Sequence, residues 1–293
     1  MRSIGQVGRR LYSDLVTRRA TVRIVSAEDA SGQAERPIFI IGVYRSGTTL
    51  LRYIVDSHSR ISCPPESDFL VPLFGLLDDE RTIPSLGNMG FDEKHVQKRI
   101  RAFADYFFAN YANAAGKPRW ADKTPSYVSC LDKLHLIYPE AQFVFIYRNG
   151  LDQAHSMTRG GTFLRPVLEP FCEEGEDLRI GATKYWVQQT ELMLDFENAN
   201  REKVVSLRYE DLCQQPEIEV KRVFDFLGEE FEPEVLNYGN FEHTKGKEDG
   251  AAGANSSIAP AQRHVETWDR DLRRDCSAIA AKSLATLGYD NET

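Results

Sequence analysis

Three short runs of the chain are almost continuously apolar: residues 38–43, 143–147 and 204–207. Near-continuous rather than alternating apolarity is the pattern of parallel strands buried on both faces. Each run leads into a polar turn and then into a segment with helical spacing. Strand–helix alternation of this kind predicts a parallel sheet with helices laid over it. Helices are predicted over about residues 48–57, 93–112, 177–198 and 216–227. The last has Pro216 in its first turn and Gly228 after its end, the usual start and stop signals. Phe103, Tyr106, Phe107, Asn110 and Tyr111 fall on neighbouring turns of the second helix, and this stripe predicts core packing. Trp186 lies inside the third.

The segment 244–261 breaks the pattern. It is rich in Gly, Ala, Ser and Asn and predicts a loop, with Lys245 and Lys247 at its start. Residues 1–36 carry Arg2, Arg9, Arg10, Arg18 and Arg19 but no apolar stretch of the kind a secretory signal needs. They read as a basic appendage, and residues 37–293 as one domain. The longest apolar run falls far below the ~20 residues of a membrane span, so no transmembrane segment is expected. Of 293 residues, 36 are Lys or Arg and 44 Asp or Glu, a net charge of −8. That balance excludes a general nucleic-acid binder but leaves room for a local basic pocket for a small anion. Five scattered cysteines (Cys63, Cys130, Cys172, Cys213, Cys276) include no Cys-x-x-Cys. They predict neither a disulfide framework nor a zinc knuckle, and fit a reducing, cytoplasmic setting. The oligomeric state stays open, a homo-oligomer included.

Candidate chemistry starts at Gly42-Val43-Tyr44-Arg45-Ser46-Gly47-Thr48-Thr49, which follows a buried strand and opens a helix. Its spacing is that of the P-loop, G-x-x-x-x-G-K-[ST], with Thr48 in place of Lys. The anion-binding physics survives that change. The glycines permit the tight turn, and backbone N–H groups converge at a helix N-terminus. Ser46, Thr48 and Thr49 add hydroxyls, and Arg45 places a planar cation in the loop. The missing Lys is the one that reaches the β- and γ-phosphates of a triphosphate. The 143–147 run ends in Arg148 rather than in an Asp, so no carboxylate stands ready for magnesium, and no metal is expected. The fold class expected is therefore α/β: a P-loop-type parallel sheet flanked by helices on both faces, a single domain with helical insertions.

A second anion grip follows the 143–147 run. Arg148 sits at the C-terminal end of a parallel strand, where open α/β sheets bind ligands, and Ser156 lies in the next helix. Two phosphate grips without a magnesium carboxylate indicate a ligand with two separated phosphate groups.

Here the residues resemble a known family. Arg45-Ser46-Gly47-Thr48-Thr49-Leu50 resembles the 5′-phosphosulfate loop of the sulfotransferases. Tyr147-Arg148-Asn149-Gly150-Leu151-Asp152, with Ser156, resembles their 3′-phosphate motif R-[ND]-P-x-D-x-x-x-S, with Gly150 in place of Pro. Leu207-Arg208-Tyr209-Glu210-Asp211-Leu212 resembles their R-Y-E-D-L segment. The resemblance covers about residues 37–270 and is nearest to the bacterial and protein-tyrosine branch. It implies 3′-phosphoadenosine-5′-phosphosulfate (PAPS) as sulfuryl donor and PAP as product. By resemblance, Arg45, Ser46, Gly47, Thr48, Thr49, Arg148, Ser156 and Tyr209 bind the donor, with Lys245 and Lys247 folding over the 3′-phosphate. Glu66, in Cys63-Pro64-Pro65-Glu66-Ser67, occupies the place of the base of the tyrosine-sulfating branch. Lys123, in Trp120-Ala121-Asp122-Lys123-Thr124-Pro125, resembles the Lys-x-Pro element that reaches a sulfuryl oxygen. The catalytic set expected is Glu66, Arg45 and Lys123, with His155 as the alternative base.

The function expected is sulfuryl transfer from PAPS to a hydroxyl or amine of a carbohydrate, lipid or small-metabolite acceptor, without metal. A P-loop kinase of small molecules and a non-catalytic nucleotide-binding protein are the alternatives. An apolar acceptor wall is expected from Phe69, Phe74, Phe103, Phe107, Phe163 and Phe171.

Overall fold

A computed structural model describes residues 36–159, 163–244, 246, 258 and 264–289. In chain order the elements are β1 (Ile38–Ile41), α1 (Thr48–Asp56), β2 (Ile61–Ser62), α2 (Leu70–Asp78), α3 (Thr82–Asn88), α4 (Glu93–Ala114) and β3 (Arg119–Lys123). Then follow α5 (Leu131–Ile137), β4 (Gln142–Tyr147), α6 (Gly150–Arg159), α7 (Arg165–Leu168), α8 (Leu178–Ala199), β5 (Val204–Arg208), α9 (Tyr209–Gln214), α10 (Pro216–Leu227) and α11 (Arg270–Thr286). All strand pairs are parallel, in the order β2-β3-β1-β4-β5.

The strands alternate between two cores because successive side chains point to opposite faces. Phe39, Phe143 and Phe145 join Phe108, Trp186, Met193 and Phe196, residues of α4 and α8, on one face. Ile38, Ile40, Val144 and Ile146 meet Leu51, Ile54, Val223 and Phe224, residues of α1 and α10, on the other. This is the α/β architecture the strand–helix alternation predicts. Phe39 anchors the first core, 5.7 Å from Trp120 and 5.4 Å from Tyr138 between ring centroids. Each fully buried side chain of this size contributes about 1.5–3 kcal/mol relative to exposure.

One strand, β3, escapes the apolar pattern. β3 reads Arg-Trp-Ala-Asp-Lys and is buried throughout. Its charges are neutralised by partners remote in sequence. Arg119 donates to the Arg36 and Leu227 carbonyls at 2.9 and 2.8 Å and pairs with Glu229 at 3.0 Å. The aromatic stripe of α4 is also corrected. Its buried residues are Val96, Ile100, Ala104, Phe108, Asn110 and Ala112; of the stripe, Asn110 is buried as expected, while Phe103 and Phe107 are about half exposed. A spacing of four residues carries the buried row, and the stripe straddles it. No helix among the described residues is long and apolar enough to cross a membrane. Residues 1–35 lie outside the described residues.

Candidate active site

The strand order brings the C-terminal ends of β3, β1 and β4 side by side. Ile40 is in register with Lys123, and Ile41 with Phe145. The loop after β1, the turn after β4 and the end of β3 therefore open on one edge of the sheet, the ligand-binding edge of open α/β folds.

The loop after β1 is a tight turn closed by Ser46 N–H donating to the Val43 carbonyl at 3.1 Å. Arg45 and Gly47 both take left-handed backbone, at φ 71° and 101°. For Arg45 this conformation costs of order 1–3 kcal/mol, a cost that recurs at ligand clamps. Gly47 has a second constraint, because a Cβ there would lie 2.4 Å from the Tyr209 ring. Helix α1 starts directly at Thr48 with no side-chain cap, so its first N–H groups face the loop. Thr48 and Thr49 are buried at that start. Ser46 Oγ is buried with no hydrogen-bond partner.

The second grip is tied to the first. Arg45 Nε donates to Ser156 Oγ at 3.0 Å, and Arg148 donates to the Arg45 carbonyl at 3.0 Å. Gln153 adds bonds to the carbonyls of Val43 and Tyr44 at 3.0 and 2.8 Å. The Arg148 guanidinium lies 4.8 Å above the Tyr209 ring, and its Nε is buried with no partner. Unfilled buried donors are costly unless a ligand completes them. Ser46 Oγ and Arg148 Nε thus suit an anion bridging the two loops, and the residues present fit the phosphates of PAPS. Asn149 Oδ1 accepts from the N–H groups of Leu151 and Asp152 at the start of α6. Gly150 stands where the family motif has Pro because Trp186 fills the space: an added Cβ would sit 2.5 Å from its ring.

The end of β3 carries the other half of the site. Lys123 Nζ donates to Glu66 Oε1 at 2.6 Å, with the Lys123 side chain fully buried and that of Glu66 18% exposed. Consecutive strand residues face opposite ways, and Asp122 on the other side takes Ser67 Oγ at 2.9 Å and Tyr127 Oη at 2.7 Å. Burial is the main reason the Asp122 carboxyl is pushed up to about 6. The Tyr44 phenol, in the first loop, is pushed up to about 12, by burial first and then by the carboxylates of Asp68 and Glu66. Tyr44 therefore lies within electrostatic reach of the Glu66 turn.

His155 is not available as a base. Trp268 Nε1 donates to its Nδ1 at 2.8 Å, so the ring proton resides on Nε2, and burial and His264 lower its basicity. Trp268 is itself buried in the core. His58 donates to the Glu230 carbonyl under Phe224, and His95 is exposed beside Asp92. Lys245, Lys247, Ser257 and Arg263 lie outside the described residues. Of the six acceptor-wall phenylalanines, Phe74 is core, whereas Phe163 is 68% exposed and meets Tyr44 edge-on.

Arg52 is the site residue that sequence reasoning missed. It is fully buried in α1 and donates to the carbonyls of Cys63 and Pro64 at 3.1 and 2.9 Å and of Thr244 at 2.9 Å. It thereby holds the stretch leading to Glu66. The available signal was a lone cation within the apolar run Leu50-Leu51-Arg52-Tyr53-Ile54-Val55 of the helix.

Comparison with known proteins agrees with this geometry. The family model described as the sulfotransferase family matches residues 37–233. The nodulation protein NoeE of Sinorhizobium fredii is 28% identical over 86% of this chain. The chain spans 65% of that relative's length. A putative protein-tyrosine sulfotransferase of Caenorhabditis briggsae is 26% identical, covering 88% of this chain and 91% of that protein. Among solved structures, the sulfotransferase domain of the Synechococcus PCC 7002 olefin synthase superposes with a TM-score of 0.59 at 21% identity. That match covers 86% of this chain and 96% of that one, and it carries the fold. The chain belongs to the sulfotransferase family, the class of enzymes that transfer sulfate groups.

Proposed function

We propose that this protein transfers a sulfuryl group from PAPS to a hydroxyl or amine of a carbohydrate, lipid or small metabolite, by direct in-line displacement in the cytoplasm. The observation that carries the proposal is the joining of the two anion grips, the 45–49 loop tied to Ser156 through Arg45 and to Arg148 through the Arg45 carbonyl, on the sheet edge that also presents Glu66 and Lys123.

The donor supplies an activated sulfuryl group on a phosphate leaving group. The residues have separable tasks. Arg148 and Ser156 hold the 3′-phosphate, and Tyr209 backs Arg148. The 45–49 loop holds the 5′-phosphate, and Arg45 meets the negative charge that develops on the bridging phosphate oxygen as its bond to sulfur breaks. Lys123 steadies the sulfuryl oxygens. Glu66 Oε takes the acceptor's proton as the new oxygen–sulfur or nitrogen–sulfur bond forms. Burial of Lys123 with Glu66 strengthens both charges' effect at the reacting centre.

A protein tyrosine is the second acceptor reading. It is favoured by the relatives named protein-tyrosine sulfotransferases, several of which match 86% or more of this chain. Incubation with labelled PAPS and a panel of glycans, lipids, metabolites and tyrosine peptides distinguishes the acceptors by the mass gained. Thermal shift with PAP and with magnesium-ATP tests the donor. Stabilisation by PAP alone is expected, and stabilisation by ATP alone would favour a kinase.

A further inference from the structure

We propose that Asp122 is a proton-carrying carboxyl whose ring with Ser67 and Tyr127 positions Glu66 against Lys123. The role assigned rests on the sulfuryl-transfer reading of the same site.

Three oxygens lie in mutual contact at the end of β3. Ser67 Oγ is 2.6 Å from Tyr127 Oη and 2.9 Å from Asp122 Oδ2, and Tyr127 Oη is 2.7 Å from the same Oδ2. Three short contacts are filled only by three protons. The two hydroxyls bring two, and an ionised carboxylate brings none. One pair would then face each other with lone pairs alone. A proton on Oδ2 completes the ring, one of the two contacts to Asp122 then running from carboxyl to hydroxyl; the closed ring belongs to mildly acidic solution, because burial pushes the carboxyl up only to about 6. Two further observations agree. Asp122 is fully buried, and besides Ser67 and Tyr127 its carboxyl has only the Lys123 backbone N–H within reach. A carbonyl oxygen is tolerated there far better than half of a carboxylate charge. The titratable groups facing Asp122 are Lys123 on its own strand, Cys63, and the phenols of Tyr127 and Tyr138. Lys123 is already paired with Glu66.

The ring acts on Glu66 through the chain. Asp122 and Lys123 are consecutive on β3, and Ser67 and Glu66 are consecutive on the facing turn. Each strand residue grips one turn residue, from opposite faces. Ser67 N–H adds a bond to Thr124 Oγ1 at 3.2 Å. Phe69 N–H donates to the Ser67 carbonyl at 2.6 Å, and Asp68 is left-handed at φ 52°. The turn is therefore sharply bent just past Glu66, and the ring holds it there.

The test has two arms. Carbon-13 carboxyl NMR of aspartate-labelled protein across pH, with Asp122→Asn to assign the resonance, needs no ligand. Asp122 is expected to titrate well above the ordinary aspartate range, and titration within that range overturns the proposal. The second arm is steady-state kinetics with PAPS and the acceptor found by the panel. Asp122→Asn keeps one donor and one acceptor and should retain kcat within about threefold. Asp122→Ala and Ser67→Ala should lower kcat by about 10- to 100-fold, the scale of a misplaced reacting group, with PAP affinity by calorimetry unchanged. Should Asp122→Ala fail to fold, Ser67→Ala carries that arm. Wild-type kcat in the Ala variants, or a loss of PAP affinity matching the loss of kcat, overturns the positioning role. Absence of sulfuryl transfer in the wild type would instead sink the transferase reading, with the NMR result standing apart from it.

Discussion

The anion grips at the ends of β1 and β4 and the Glu66–Lys123 pair at the end of β3 share one sheet edge, yet they are built by different means. The grips are made mostly by local chain geometry: a glycine turn, uncapped N–H groups of α1, and an Arg at a strand end. Their principal long-range ties are Arg45 to Ser156 and Arg148 to the Arg45 carbonyl. The Glu66–Lys123 side has little local geometry to rely on. Its turn is held by residues from β3, the turn after it, α1 and the Thr244 segment, through Asp122, Tyr127 and Arg52. A binding site for a common group can be specified by a short contiguous motif. A pair proposed to react must be placed to a fraction of an ångström, and here buried polar contacts across the fold hold Glu66 against Lys123.

Substitutions that act on one half and spare the other test this contrast. The largest effect is expected from Glu66→Gln, which keeps the shape of the pair but cannot take a proton. Its kcat should fall by about 10²–10⁴-fold, the usual contribution of a positioned acid or base, with PAP affinity unchanged. Loss confined to acceptor KM would assign Glu66 to acceptor binding instead.

Arg148→Ala strikes the other half. PAP binding measured by calorimetry should weaken by about 2–4 kcal/mol, the scale for truncating one partner of a desolvated charge pair. Adenosine 5′-phosphosulfate, which lacks the 3′-phosphate, should lose far less. Equal losses for the two ligands would take Arg148 out of the 3′-phosphate site.

The buried carboxyl makes stability depend on pH in a definite direction. Asp122 titrates at about 6 in the fold against 3.8 ordinarily. Between those values the folded protein binds more protons than the unfolded chain, so this contribution to stability falls as pH rises. It is fully present below about pH 4 and lost above about pH 6, amounting to no more than about 3 kcal/mol. Asp122→Asn should flatten that slope in denaturant titrations, and an unchanged slope would locate the pH dependence elsewhere.

Gly150→Ala probes the turn after β4 alone. A Cβ against Trp186 overpacks the core and should lower stability by about 1–3 kcal/mol. A melting temperature equal to wild type would mean that Trp186 shifts freely. The smallest effect expected is none at all: turnover should persist in excess EDTA. Among the described residues there is no group of three or more His, Cys, Asp or Glu able to hold a metal ion. Activity lost with EDTA and restored by magnesium would favour the kinase reading.

Read alone, the sequence determined the parallel α/β sheet, three of its strands and the position of the two loops proposed as anion grips. β1, β4 and β5 bury nearly pure apolar runs, and such runs report burial wherever they occur. The turn Gly42-x-x-x-x-Gly47 and the strand-end Arg148 are likewise local, because backbone conformation and helix start are decided within a few residues. Only the tertiary structure decided β3 and what it holds. Arg119, Asp122 and Lys123 look like surface residues until Glu229, Tyr127, Ser67 and Glu66 are brought to them from up to 110 positions away. A buried charge is stable only when its partners arrive with the fold, so its burial and its partners are not written in its neighbours along the chain, even at Lys123, where the Lys-x-Pro resemblance already suggested a role. The same holds for Arg52 under the Cys63 and Pro64 carbonyls, and for His155, whose remaining lone pair Trp268 occupies.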